Sequence, residues 1–141
     1  MKMKAYDECY LNGMLQKHRY LYKLIGRNCE DVFGTILKYM SGDYRYQMDT
    51  GNPLFLNKTP KQILRNMDVI VDEAAAMCEK YDEFILEWMA DIYTYMQWKY
   101  NLLSSDIVDK INPKELYHMY YPLHEASIEN GTEKLKKRFG L

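Results

Sequence analysis

The chain has 141 residues, 48% hydrophobic and 28% charged, with a formal net charge of −1. That is the balance of one ordinary globular domain spanning residues 1–141, not of a disordered chain. It contains no apolar run approaching the roughly 18–20 residues that cross a bilayer, so no membrane contact is expected.

The start, Met1-Lys2-Met3-Lys4-Ala5-Tyr6-Asp7-Glu8, carries no apolar segment of the kind a secretory signal needs. Cys9, Cys29 and Cys78 are odd in number and widely spaced, which suggests neither a disulfide framework nor a zinc knuckle. They read as small buried thiols of a cytoplasmic protein. Charge is unevenly spread. Residues 1–65 carry 11 Lys/Arg against 6 Asp/Glu, and residues 66–141 carry 8 against 14. Such an asymmetry either steers a charged partner or matches two halves of one fold.

Along the chain, helical spacing is frequent and two-residue alternation is nearly absent. Residues 5–25 predict a first helix with apolar Tyr6, Tyr10, Met14, Leu21 and Ile25, closed by Gly26-Arg27-Asn28. Asn28 is placed to cap a second helix that ends at Ser41-Gly42-Asp43. Residues 43–58 read as the least regular stretch, with a turn at Gly51-Asn52-Pro53. Thr59-Pro60-Lys61-Gln62 is a capping box with Pro in the first helical position.

From Ile63 to Tyr95 apolar side chains recur every three or four residues without Gly or Pro. The spacing predicts one helix through residues 61–100, about 60 Å long, or two helices parted at Lys80-Tyr81-Asp82 with Asp82 capping the second. Ser104 or Ser105 opens a short helix through Ile111, and Asn112-Pro113-Lys114-Glu115 repeats the capping logic. Tyr121-Pro122 bends the next helix. A last one runs from about Leu123 to Phe139, with a nick at Asn130-Gly131 and Gly140 as its C-cap. The expected fold is all-α: a compact bundle of about six helices around a long central helix or helix pair, residues 60–100.

Three constellations bear on chemistry. On a continuous helix Asp68, Asp72, Glu79, Asp82 and Glu83 share a quarter to a third of the circumference. With almost no Lys or Arg among them, they form a candidate ridge for docking a basic partner protein. Abundant Tyr and Met suit an adaptable contact surface. Tyr117, His118, His124 and Glu125, with Tyr121, offer an acid–base cluster for a small enzyme or metal-dependent hydrolase. Against this, nucleophile elbow, P-loop, GxGxxG and HExxH are all absent, and no metal or other cofactor is called for. A further alternative, a nucleic-acid-binding regulator, would use Lys134, Lys136, Lys137 and Arg138. Their place in a helix's last turn already suits the dipole, and the acidic pI speaks against nucleic acid as the partner. His18, among Met14, Leu21 and Tyr22, reads as a core imidazole.

Phe84-Ile85-Leu86-Glu87-Trp88-Met89-Ala90, then Ser104-Ser105-Asp106-Ile107-Val108, then Leu116 through Glu125 and a final amphipathic helix follow in an order that resembles a small family of bacterial helical domains. Members of that family are often encoded beside toxin-like proteins, including ADP-ribosyltransferase-like ones. The resemblance covers residues 84–138 and rests mainly on Tyr121-Pro122-Leu123-His124. Glu125 and Ala126 stand where the family tends to have Thr, the N-terminal half has no counterpart, and no catalytic residue carries over. It implies a bacterial conflict or regulatory setting. The function expected is therefore a protein-interaction module that regulates a partner, as antitoxin, immunity and anti-defence proteins do. A homodimer also suits so long an apolar stripe.

Overall fold

The computed structural model describes residues 5–141. Residues 1–4, on which part of the reading of the chain start rests, lie outside them. Ten α-helices and no strand occur among the described residues, with 69% of the chain helical. After a 3-10 turn (Glu8–Tyr10) come α1 (Leu11–Asn28), α2 (Val32–Met40), α3 (Asp43–Asp49), α4 (Pro53–Leu56), α5 (Pro60–Asn66), α6 (Glu83–Lys99), α7 (Ser104–Lys110), α8 (Pro113–His118), α9 (Tyr120–Leu123) and α10 (Ile128–Phe139). No helix is long and apolar enough to cross a membrane.

The central pair is α1 against α6. The two run antiparallel, since Arg19 meets Asp91, Lys23 meets Glu87 and Arg27 meets Glu83. α10 packs on α6, placing Gly131, Thr132 and Leu135 in the core, and α2 bridges α1 to α7 and α8. The buried apolar side chains form one continuous cluster, from Ala5 and Tyr6 to Leu135.

The local signals near caps translate directly. Thr59 and Gln62 complete the capping box of α5, Asn112 caps α8, Asp82 caps α6 and Gly140 closes α10. Several expectations are corrected. Of the two alternatives for residues 60–100 the helix pair is the one observed, but the parting is an irregular strap over residues 67–82 and not a break at Lys80-Tyr81-Asp82 alone. Asp68 takes a left-handed backbone (φ 60°), which ends helical continuation at Met67. Beyond it Val69, Val71, Met77 and Tyr81 pack one at a time on the core, while Ile70, a member of the expected stripe, is 91% exposed. A three-or-four-residue apolar rhythm is thus met by a strap that dips repeatedly toward the core. Gly26 permits one dip: a Cβ there would stand 2.6 Å from Met77 Sδ and Leu86 Cδ1.

Residues 43–58, expected to be loop, hold α3 and α4, joined by a turn at Gly51 (φ 81°). Asp31, not Asn28, caps α2. Asn28 instead donates to the Leu24 carbonyl and accepts from the Asp72 amide. The last helix starts at Ile128, capped by Ser127, and runs unbroken through Gly131, which is buried beside Ile92. Pro122 sits in the first turn of α9, where a missing N–H costs little. Cys9 is exposed, Cys29 and Cys78 are half-buried, and all three are free thiols.

Candidate functional site

The five carboxylates of the expected ridge do not share a helix face. Asp82 is spent as a cap, accepting from the Phe84 amide at 2.8 Å. Glu83 lies 3.2 Å from Arg27 and 3.4 Å from Lys23. Asp72 folds back on the Ala74 amide at 2.9 Å. Asp68 and Glu79 are exposed on the strap. Neighbouring acids are paired too: on the surface Glu73 reaches Lys61 at 2.6 Å and accepts from the Tyr20 hydroxyl at 2.9 Å. Glu87 pairs with Lys23 at 3.2 Å and Asp91 with Arg19 at 2.5 Å. Helical phase explains the pattern, because 19, 23, 27 and 83, 87, 91 each step by one turn. Three cations of the first half are therefore matched by three acids of the second along the α1–α6 seam. A hollow of about 410 Å³ beside it is lined by Arg19, Tyr20, Lys23, Arg27, Glu73 and Glu87.

The members of the Tyr/His/Glu cluster are placed against neighbouring rings and backbone groups. His124 stacks on Tyr120 (centroids 4.5 Å, 16° between planes), and its Nδ1 lies 3.0 Å from the Tyr120 carbonyl. His118 meets Tyr117 edge to face at 5.7 Å. Tyr117 uses its hydroxyl to accept from the Asp82 amide at 2.8 Å. No hydrogen bond or ion pair joins Glu125 to either histidine among the described residues, and no three His, Cys, Asp or Glu there stand close enough to hold a metal. The cations of α10 do not merge with those of α1. Lys17 donates to the Leu56 carbonyl, Arg19 and Lys23 belong to the seam, Lys137 pairs with Glu133 at 3.3 Å and Lys136 lies over the Tyr100 ring at 5.1 Å.

What these residues do form is an aromatic face. Phe33, Tyr81 and Tyr117 meet edge to face at 5.2–6.1 Å. Trp88 meets Tyr120 at 5.4 Å, and Tyr120 meets Tyr121 at 5.4 Å. Phe84, one turn before Trp88 on α6, is 73% exposed, and Tyr121 is 72% exposed. Phe84 was countable only as a member of the core stripe, yet its side chain is turned out. Glu79, Asp82 and Glu125 are exposed in the same segments, against Lys80.

A second unusual site lies in the interior. Arg45 and Asp49, one turn apart on α3, are both buried, with Nη1 3.3 Å from Oδ1. Asp49 also accepts from the Ser104 amide (2.6 Å) and hydroxyl (2.9 Å). Burial pushes its carboxyl above the usual range, and Arg45 and Ser104 pull it partly back. The Tyr6 hydroxyl faces the guanidinium, and burial raises its pKa to about 12. Trp98 Nε1 donates to the Tyr6 carbonyl at 3.0 Å and the Ala5 amide donates to Asn101 Oδ1 at 3.0 Å, which ties this segment over the pair. His18 is the core imidazole expected of it. Its Nδ1 is 2.7 Å from the Met14 carbonyl and its Nε2 2.7 Å from the Tyr39 hydroxyl. A carbonyl only accepts, so Nδ1 carries the hydrogen and Nε2 accepts from Tyr39. Burial, reinforced by the charge of Arg45, holds this imidazole well below its ordinary pKa. An Arg–Asp pair one turn apart is visible in the sequence, but that spacing is commonest on solvated faces, and nothing local marks it as interior.

Compared with family models, curated proteins and solved structures, the chain matches none.

Proposed function

We propose that this chain is a protein-interaction module that binds and regulates a partner protein with a basic surface, in a bacterial or phage cytoplasm. Antitoxin, immunity and anti-defence proteins act in this way. The single observation that carries the reading is the aromatic face, with Phe84 and Tyr121 about three-quarters exposed on a rigid helical base. Large exposed aromatics on fixed backbone are the side chains that supply most binding energy at protein interfaces. Such rings lose little entropy on contact, and Tyr121 is braced by Tyr120, which itself packs edge to face on Trp88. Glu79 and Glu125, exposed in the neighbouring segments, add negative charge that suits a cationic partner. The order of segments in residues 84–138 supports the bacterial conflict setting.

This reading moves the contact from a five-carboxylate ridge to an aromatic face with acids in the neighbouring segments. The homodimer was expected from one continuous apolar stripe; the strap interrupts that stripe, so it no longer argues for a second copy as the partner. The test is a pull-down from the native host, followed by titration of the recovered partner. Phe84→Ala and Tyr121→Ala are each expected to weaken binding at least tenfold while leaving the thermal midpoint unchanged. Equal affinity of both variants and the parent chain overturns the proposal.

A further inference from the structure

Arg45 brings a forked set of N–H donors into the middle of the bundle. Asp49 neutralises its charge, but both carboxylate oxygens accept their shortest hydrogen bonds from Ser104. Among the described residues, Nε, Nη1 and Nη2 of Arg45 complete no well-formed hydrogen bond, and neither do the buried Tyr6 hydroxyl and Gln97 Oε1. The orientation of Gln97 is fixed, because its Nε2 donates to the Leu102 carbonyl (3.2 Å) and the Asp49 carbonyl (3.5 Å). Oε1 is thus an acceptor on a residue that touches Asp49, as Arg45 does. Native interiors rarely leave such groups unanswered, and a charged donor is the costliest to leave so.

We infer that the cluster of Arg45, Asp49, Gln97 and Tyr6 is a built site for buried water. At least one molecule accepts from the guanidinium and donates to Gln97 Oε1 or the Tyr6 hydroxyl. Charge selects water over an ion. Arg45 and Asp49 cancel and His18 is neutral, so an added anion would leave an uncompensated negative charge beside the Asp49 carboxylate in a low-dielectric interior. An added cation would meet Arg45. Water is neutral and both donates and accepts, which is what this mix of orphan donors and acceptors requires. Two surface hollows converge on Asp49. One of about 260 Å³ includes Thr50 and Leu102, the other of about 250 Å³ includes Ser41 and Ser105, so solvent reaches the Asp49 end of the cluster from two sides.

Oxygen-17 magnetic relaxation dispersion on the full chain tests this. A long-lived internal water step is expected, and Arg45→Met is expected to remove it while helical circular dichroism persists. A step unchanged in a folded Arg45→Met chain overturns the inference, as does no step in the parent chain. An atomic-resolution crystal structure of the unaltered chain decides the matter even if that variant fails to fold. A water within hydrogen-bond reach of both the guanidinium and Gln97 Oε1 or the Tyr6 hydroxyl supports the site. A direct guanidinium–Gln97 bond with no water, or a halide at that position, refutes it.

Discussion

The same chemistry, a cation beside a carboxylate, appears in two places and serves two different ends. Along the α1–α6 seam Arg19, Lys23 and Arg27 face Asp91, Glu87 and Glu83 with cationic side chains 31–40% exposed. On α3 Arg45 faces Asp49 with the two side chains 0% and 1% exposed. In water each seam pair gains little, because solvent and salt screen it and two long side chains lose freedom. Its value is registry: the cationic and anionic rows align only when the helices are antiparallel and in phase. Inside the bundle neither partner can be removed without stranding the other. The seam is tolerant and the α3 pair is not.

The largest expected effect follows from that contrast. Arg45→Ala, or Asp49→Ala, should lower unfolding free energy by about 3–5 kcal/mol, because each strands a buried charge. Denaturant titration measures it. Arg45→Met with Asp49→Leu should recover most of the loss, and a double variant as weak as either single one would break the comparison. Next, Gly51→Ala should cost about 1–3 kcal/mol. Its backbone sits at φ 81°, and a Cβ would stand 2.5 Å from the Ala5 carbonyl, prising up the segment that covers the α3 pair. Hydrogen exchange at the Ala5 amide should rise in parallel.

A smaller, pH-dependent effect comes from His18. Its folded pKa lies well below the ordinary 6.5, so above pH 6.5 both folded and unfolded chains hold it neutral and its contribution is complete. As pH falls below 6.5 the unfolded chain takes up a proton that the folded chain refuses. Stability should then drop with a slope of up to about 1.4 kcal/mol per pH unit. Arg45 and Lys17 face the same imidazole and deepen the refusal. Stability titrations at pH 7 and 5.5 measure this slope, and His18→Gln should flatten it. An identical slope in the variant would exclude His18 as its source. Smallest of all, Glu87→Gln should cost about 1 kcal/mol or less, and that cost should vanish at high salt. The Arg45→Ala cost should persist there.

Legibility in the sequence follows the range of each signal. Thr59, Asp82, Asn112 and Gly140 mark their helix ends correctly because a cap involves only residues within one turn. The strap was unreadable for the opposite reason. Met67, Met77 and Tyr81 keep helical spacing, yet each is anchored by distant groups, as Gly26 receives Met77 and accepts from the Cys78 amide at 3.3 Å. Asp72 is held likewise by Asn28. The all-α class was legible because it sums many local signals. Of the candidate site, Tyr117, Tyr121 and His124 were singled out for proton chemistry, but their grouping is aromatic. Phe84 was hidden inside an apolar rhythm whose phase does not reveal exposure. The interior pair at Arg45 and Asp49 escaped notice because burial is a property of the whole fold.

The strap also makes the molecule divisible. A cut beside the protruding Ile70 would leave every helix whole. It would part a predominantly cationic piece carrying α1 to α5 from a predominantly anionic piece carrying α6 to α10. The seam that joins them lies wholly between the two pieces, with opposite charge on each side and the hydrophobic core shared. A gene divided at that codon would yield two polypeptides equipped to find one another and rebuild the bundle, a fragment-complementation pair supplied by the architecture itself.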